Sequence, residues 1–383
     1  MQPELLEDLD EEVVLRFPPE DPASLVRAAL VSKRWCRLIA SRGFRRRFRE
    51  LHRMPPMLGF ICNDDPGSGS EDEDRPCIAR LVPTSSVPPA CLSGWQALDS
   101  RHGRVLLYSL PRHWWLALRF LVWSPVTGEQ WELPALVPNE QWELPAMFNA
   151  TVLCARDASC DHLDCHHHGH GPFLVVLVFT CEDGHQLFTS FYTSDTGAWS
   201  EPAVAYQAAD LVDLVPAMPA ALLGNALYFV FVHDFNKILK YDLGTRETSI
   251  VDMPPRCCGR IILMTSQQGK LGFARADCDF NLYLWSMEVS EQGDVVWTQD
   301  RVIELQSLLP ADALLTKPNV VGCVHGHGVI LVRTRVGFFT IDPKLNQATK
   351  VGESIPSMKY DDVVIRFGRY SFAVVPYTSF FFP

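Results

Sequence analysis

Thiols and imidazoles are concentrated in residues 160–170, the segment of the chain with the clearest capacity for metal chemistry. Thiolates and imidazole nitrogens are donors that zinc prefers, and the candidate ligands are Cys160, His162, Cys165 and His168. Their spacing differs from that of zinc fingers, and no second ligand pair lies nearby in the sequence. We therefore predict a His-rich loop over residues 160–171, with a zinc site as the alternative and no cofactor required.

Three common catalytic motifs are missing from the sequence. It has no phosphate-binding glycine loop ending in Lys-Ser or Lys-Thr, no His-Glu-x-x-His and no Gly-x-Ser-x-Gly. The glycine-rich residues 322–328 precede a strand-like segment at 329–333, so we interpret them as a turn. We predict a protein that is not an enzyme.

The composition is that of a globular protein of 383 residues, 47% hydrophobic and 21% charged. A net charge of −11 disfavours bulk electrostatic binding to nucleic acid or anionic membranes. No apolar run approaches the roughly 18 residues of a membrane helix, and the acidic N-terminal residues do not resemble a secretory signal. We therefore expect a cytoplasmic or nuclear protein with free thiols at its 12 cysteines.

The first fifty residues predict helices. Apolar residues recur every fourth position at Leu5, Leu9 and Val13, which indicates an amphipathic helix over residues 4–16. Two prolines at 18 and 19 end it. Asp21 as an N-cap followed by Pro22 then predicts a second helix that continues to residue 41. That helix is apolar around much of its circumference, so it implies a partner.

Charge is segregated within this region. Residues 4–21 contain eight acidic side chains and one basic, whereas residues 27–53 contain ten basic and one acidic. The arginines between 42 and 53 are interleaved with Phe44 and Phe48, which favours an amphipathic helix with a solvated basic face over a nucleic-acid patch.

Residues 5–39 resemble the F-box, and the spacing from the two prolines to Trp35 agrees with that family as well as the residue types do. The resemblance implies docking on a Skp-type adaptor and, through it, a cullin. The residues that it implies for the module core and adaptor face are Leu5, Leu9, Val13, Val14, Phe17, Pro18, Leu25, Val31, Trp35 and Leu38. Two positions depart from the family pattern, Leu6 where a proline is usual and Asp10 where an apolar residue is usual. A generic helical hairpin is the alternative.

Beyond residue 53 the sequence changes to short β-branched and aromatic runs separated by turn residues, which predicts an all-β barrel, sandwich or propeller. Twelve segments are predicted strands: 57–62, 104–109, 119–124, 173–180, 187–193, 226–232, 237–243, 260–265, 271–274, 282–289, 329–333 and 337–342. We predict two domains, helices at 1–53 and a β-domain at 54–383, with an acidic disordered loop at 63–76.

A strand–turn–strand phrase recurs at 121–134, 240–254 and, more loosely, 339–351. Repeated hairpins are typical of propeller blades, and the length of the β-domain fits about six to seven of them. The phrases also resemble the propellers that follow F-boxes in large plant families. Together the two resemblances imply a substrate-recognition subunit of a cullin-based ubiquitin ligase that binds an unidentified target protein. The alternatives are an F-box-like scaffold that does not recruit the ligase, and a propeller enzyme.

Overall fold

The computed structural model describes residues 3–52, 55–64, 77–109, 118–136, 145, 147–156, 171–181, 185–207, 218–231, 237–254, 261–265, 269–290, 294–324, 326–353 and 374–380. Four helices come first: α1 (Pro3–Leu15), α2 (Pro22–Val31), α3 (Lys33–Ala40) and α4 (Arg42–His52). None of the helices in these ranges is both long and apolar enough to cross a membrane.

The prediction of a single helix from residue 22 to residue 41 is wrong, because the helix is interrupted at Ser32. Ser32 has extended dihedral angles (φ −156°, ψ 155°), and its hydroxyl accepts a 3.1 Å hydrogen bond from the Trp35 backbone N–H. A serine at this position satisfies one of the free N–H groups at the start of α3. Pro22 begins α2 as predicted, but Asp21 makes no N-cap hydrogen bond through its side chain.

Six antiparallel sheets follow the helices, and each is one blade of a propeller. The first blade contains β1 (Met57–Asp64), β2 (Ile78–Pro83), β3 (Ala90–Ser93) and the C-terminal β25 (Val374–Thr378). The second contains β4 (Gln96–Arg101), β5 (Arg104–Ser109), β6 (Arg119–Trp123) and β7 (Gln130–Glu132). The third contains β8 (Met147–Cys154), β9 (Phe173–Thr180), β10 (Gln186–Thr193), β11 (Ala198–Trp199) and β12 (Ala203–Gln207), which also pairs with β10.

The last three blades are regular four-stranded meanders. The fourth contains β13 (Ala221–Leu223), β14 (Ala226–Val230), β15 (Lys237–Asp242) and β16 (Thr248–Asp252). The fifth contains β17 (Ile262–Thr265), β18 (Leu271–Ala276), β19 (Asn281–Val289) and β20 (Val295–Glu304). The sixth contains β21 (Asn319–Val324), β22 (Val329–Thr334), β23 (Gly337–Asp342) and β24 (Gln347–Gly352).

The ring closes by pairing the two ends of the β-domain. Strand β25 pairs with β1, and as the inner strand of the first blade it lies between β21 and β4. Apolar side chains fill the spaces between blades; at the closure, Phe60 of β1 contacts Phe338 of β23 with ring centroids 4.9 Å apart. Blades bury their faces only against neighbours, so this joint completes the core.

Two tryptophans make equivalent bonds between neighbouring blades. The indole Nε1–H of Trp199 donates to the Pro134 carbonyl, and that of Trp297 donates to the Asp252 carbonyl, each over 2.8 Å. Both tryptophans lie on outer strands, and both carbonyls lie at or just after the outer strand of the preceding blade. At these two junctions, a side-chain hydrogen bond at the outer strands therefore adds to the apolar packing between the blades.

A buried polar cluster joins the inner strands of the second, third and fourth blades. The Asp99 carboxylate accepts hydrogen bonds from Arg101 Nε at 3.1 Å and from the Thr151 hydroxyl, while Arg101 Nη2 donates to the Ala220 carbonyl. Asp99 is fully buried. Because a buried charge needs both a counter-charge and hydrogen bonds, this cluster fixes how the three blades meet.

The structure confirms a propeller and sets the number of blades at six, at the lower end of the predicted range. Each of the twelve predicted segments contains a strand, and the recurring phrase forms the outer hairpin of the second, fourth and sixth blades. The predicted loop at 63–76 begins too early, because Asn63 and Asp64 belong to β1. The Asn63 amide is buried against both the N–H and the carbonyl of Ala97. Residues 65–76 lie outside the described ranges.

Candidate adaptor-binding site

Helix α1 has apolar side chains on two sides, of which one is covered. Val14 and Leu15 are 0% and 4% exposed and pack against the other helices, whereas Leu9 and Val13 are 59% and 53% exposed. Leu9 and Val13 are four residues apart, so they share one face, and Val14 lies about 100° further around the helix. The two described residues of the apolar stripe noted in the sequence, Leu9 and Val13, therefore lie on the exposed side of α1.

The end of α2 adds to the exposed apolar surface. Leu25 and Ala28 are buried in the module, but Leu30 and Val31 are 80% and 70% exposed. Leu30 and Val31 therefore leave apolar area in water instead of contributing to the core of the module. We use the name apolar face for Leu9, Val13, Leu30 and Val31.

The module has its own small core beneath these residues. Phe44 and Phe48 of α4 are each 1% exposed, their rings 5.7 Å apart, and Ile39 of α3 is fully buried beside them. Helix α4 is amphipathic as predicted, but its basic face is only partly solvated, because Arg42, Arg46 and Arg47 are exposed while Arg45 and Arg49 are partly buried. Phe17, Trp35 and Leu38 pack on the cluster from partly exposed positions.

Ion pairs join the acidic first helix to the basic later helices. Arg47 of α4 lies 3.0 Å from Glu11 and 2.9 Å from Glu12, and Arg34 of α3 lies 3.1 Å from Asp10. The acidic and basic segments noted in the sequence therefore lie against each other in the folded module. Asp10, which departs from the family pattern, has an internal partner at the N-terminal end of α3.

The helical module contacts the propeller at the first blade. The Asp21 carboxylate accepts a 3.2 Å hydrogen bond from the Ser86 hydroxyl, which itself accepts one from the Ala23 N–H. The bond from the Ser24 hydroxyl is the main cause that holds the pKa of Asp21 below its ordinary value, and Ser86 and Arg27 add to it. In a second contact with the first blade, Phe380 after β25 packs against Phe48.

One histidine joins two helices within the module, and a second joins the linker after the module to the propeller. His52 Nε2 lies 2.9 Å from the Leu15 carbonyl at the end of α1, and His327 Nε2 lies 2.8 Å from the Pro55 carbonyl. His327 is in the turn after β21, so the sixth blade holds the linker. The module therefore rests on the face of the ring that carries the turns from first to second and from third to fourth strands.

The structure separates the ten residues singled out in the sequence. Val14 and Leu25 are buried; Phe17, Trp35 and Leu38 are partly buried; Leu9, Val13, Pro18 and Val31 are exposed. Leu5 lies in α1, but its side chain is outside the described part of the molecule. Sequence reasoning missed Ser86 and Phe380. Ser86 lies in a loop with another serine and Phe380 in a run of phenylalanines, and neither pattern predicts a contact with the helices.

The sequence-predicted metal candidates Cys160, His162, Cys165 and His168 lie outside the described ranges. Within those ranges, no three Cys, His, Asp or Glu side chains are grouped as metal ligands, and no disulfide joins any of the cysteines. The zinc alternative therefore stays a prediction.

Comparison with known proteins identifies the helical module. The profile of the F-box domain family matches residues 11–47, from the second half of α1 into α4. No curated protein matches the chain. A crystal structure of a puromycin hydrolase mutant complexed with PGG is similar at 10% identity with a TM-score of 0.38, covering 67% of this chain and 38% of that one. A likeness at that level carries no information about function. The chain thus contains an F-box domain, followed by a six-bladed β-propeller.

Proposed function

We propose that this protein is the substrate-recognition subunit of a cullin-based ubiquitin ligase of the SCF type. The F-box helices bind a Skp-type adaptor, which carries the cullin, and the propeller binds a target protein. The observation that carries this proposal is the apolar face on a module that already has a packed core. The protein acts in the cytosol or nucleus and belongs to the plant-type families whose propellers its hairpins resemble.

In this role no residue of the chain performs chemistry. A receptor raises the concentration of its target near the ubiquitin-loaded enzyme, and the gain depends on geometry rather than on catalytic groups. Several contacts fix the module on the propeller, among them Asp21 with Ser86 and Phe48 with Phe380. A receptor held in this way presents its target at a defined distance from the adaptor.

Co-purification with a Skp-type adaptor tests the proposal. We expect wild-type protein to form a stable complex and Leu9→Glu to weaken it at least about tenfold, because burying a leucine contributes about 1.5–3 kcal/mol. Leu51→Glu is the matched control, since Leu51 of α4 is 56% exposed and lies outside the apolar face. Failure of the wild type to bind under conditions where a standard F-box protein binds would reject the ligase role.

A second function is favoured by one observation, the carboxylate of Asp10 at a position where the family is apolar. Its side chain remains 28% exposed while paired to Arg34, so a charge stands beside the apolar face. An F-box-like scaffold that does not recruit the ligase would tolerate this charge. The same co-purification separates the two functions, because the scaffold would not retain the adaptor.

A further inference from the structure

A cavity of about 180 Å³ lies between the third and fourth blades. Leu174, Val176 and Leu243 form apolar walls, while Phe191 and Tyr241 provide aromatic ones. Ala155, Thr193 and Arg246 complete the lining. Most of these residues stand where strands meet the turns from first to second and from third to fourth strand, so the cavity opens on the face that carries the helical module. The fourth blade is opposite the first in a six-membered ring, which places the cavity across the ring from the module.

Arg246 is held at the cavity by the turn between β15 and β16. The Asp242 carboxylate accepts hydrogen bonds from the Gly244 and Thr245 N–H groups at 2.8 and 3.0 Å, and the Asp242 carbonyl accepts one from Arg246 N–H at 2.8 Å. Arg246 itself has a φ of +62°. Arginine rarely adopts that conformation, and here it directs the side chain across to the third blade.

The guanidinium of Arg246 lies over an aromatic ring and has no counter-ion in the part of the chain that the structure describes. Its central carbon is 4.1 Å from the centroid of Phe191. Among the described residues it forms neither an ion pair nor a side-chain hydrogen bond. A guanidinium that contacts a ring through its central carbon keeps N–H donors, and its planar fork can bind a carboxylate through two parallel hydrogen bonds.

The volume limits what the cavity can hold. Pockets for cofactors and drug-sized ligands measure roughly 300–1,000 Å³, so 180 Å³ is too small for a nucleotide or a prosthetic group. It is the size of a single large side chain. The walls are apolar apart from the Thr193 and Tyr241 hydroxyls and the guanidinium, and burial raises the pKa of Tyr241, which keeps that phenol neutral.

We propose that this cavity binds one apolar side chain of a peptide that has a carboxylate directly beside it, with Arg246 pairing to the carboxylate. Two sources supply this chemistry: a peptide that ends in an apolar residue, and an apolar residue followed by Asp or Glu within a chain. That the peptide belongs to a ligase target rests on the proposed function. Binding of the peptide itself does not.

Ligand-observed NMR titrations on the full-length protein test the site with three short peptides. The first is acetyl-Gly-Ser-Gly-Leu with a free carboxylate, the second is its C-terminal amide, and the third is acetyl-Gly-Leu-Asp-Gly-amide. We expect at least one carboxylate peptide to bind about tenfold or more tightly than the amide, because hydrogen bonds to charged groups are the strong ones. Preference for the first assigns the site to chain ends, and preference for the third assigns it to internal segments. Equal binding of all three, or of none, overturns the proposal.

Two variants locate the binding. Arg246→Gln keeps a non-glycine residue in the same backbone conformation and should remove the preference for carboxylate over amide. Ala155→Trp, at an exposed position on the cavity lining, should abolish binding of all three peptides. Arg335→Gln is the control, because Arg335 is an exposed turn arginine on the opposite face of the sixth blade. An unchanged carboxylate preference in Arg246→Gln contradicts the site.

The adaptor co-purification is carried out on the same protein preparations. Arg246→Gln should still bind the adaptor as wild type does, so a loss of peptide binding with the adaptor complex intact isolates the cavity. A protein that binds peptide but not adaptor would reject the proposed ligase role and leave the cavity assignment standing.

Discussion

The ring of Phe380 meets the ring of Phe48 edge-on, with centroids 6.2 Å apart and an interplanar angle of 83°. Phe380 comes two residues after the strand that closes the propeller, and Phe48 is in the core of the F-box module. The guanidinium of Arg49 covers the same ring at 5.4 Å. The segment that closes the propeller therefore also provides one of the contacts that place the module.

Truncation of this side chain should loosen the module without opening the ring. In Phe380→Ala the aromatic pair is lost, a contact worth about 0.5–1.5 kcal/mol beyond its buried area. We expect faster amide hydrogen exchange in α4 and little change in the unfolding temperature of the propeller, since β25 keeps its pairing with β1. Phe280→Ala is the control, a partly buried phenylalanine of the fifth blade that should lower the unfolding temperature and leave α4 unaffected. Equal exchange of α4 in wild type and Phe380→Ala would show that the aromatic pair does not hold the module.

Replacement of Asp10 should strengthen adaptor binding. Asp10→Leu removes a charge beside the apolar face and supplies the residue type usual in the family. The ion pair that it breaks is partly exposed to solvent, which limits what the pair contributes to stability. The measurement is the dissociation constant for a Skp-type adaptor. Arg34→Gln breaks the same pair but adds no apolar surface, so it should leave the affinity near that of wild type. Tighter binding in Arg34→Gln alone would mean that the ion pair, and not the missing leucine, limits docking.

The helical region shows what apolar periodicity can and cannot predict. Periodicity found helix α1, but it could not tell which apolar strip is covered, because Leu9 and Val14 look alike in a sequence and differ only in what packs on them. It also ran across Ser32, since one extended residue hardly disturbs the apolar spacing. The usable signal there was local, a serine three residues before Trp35 whose hydroxyl accepts the helix-starting N–H.

The sequence predicts the all-β character of the second domain well and the number of blades less well. The recurring phrase marks outer hairpins in alternate blades, while the third blade has a variant, from Tyr192 to Trp199, that the pattern missed. The first blade is divided between the two ends of the β-domain, so no repeat covers it. The cavity at Arg246 combines residues of two blades and has no local pattern at all, which is why only the fold reveals it.

Loss of the buried carboxylate at the inner strands should be costly. Asp99→Asn keeps the shape but leaves the Arg101 guanidinium, 8% exposed, as an uncompensated buried charge, which costs about 3–5 kcal/mol in such pairs. The measurement is the free energy of unfolding in denaturant. Glu288→Gln breaks the exposed pair with Lys270 on the fifth blade and should leave stability nearly unchanged, because water and salt screen that pair. A similar small effect for Asp99→Asn would mean that the cluster does not fix the meeting of the three blades.

Alkylation should divide the cysteines by their surroundings. Cys36, Cys91 and Cys278 are exposed, whereas Cys323 on the inner strand β21 is buried, and that burial raises the pKa of its thiol from 9.0 to about 12. Only the thiolate attacks iodoacetamide, so at pH 8 we expect mass spectrometry to find the three exposed residues modified and Cys323 intact until denaturant is added.

The raised pKa of the Cys323 thiol also means that its protonated form stabilises the fold below about pH 9, a contribution lost as the pH rises toward 12. In Cys323→Ala this part of the loss of stability at high pH should be absent. Labelling of Cys323 in the native protein at the rate of Cys278 would contradict its burial in the core.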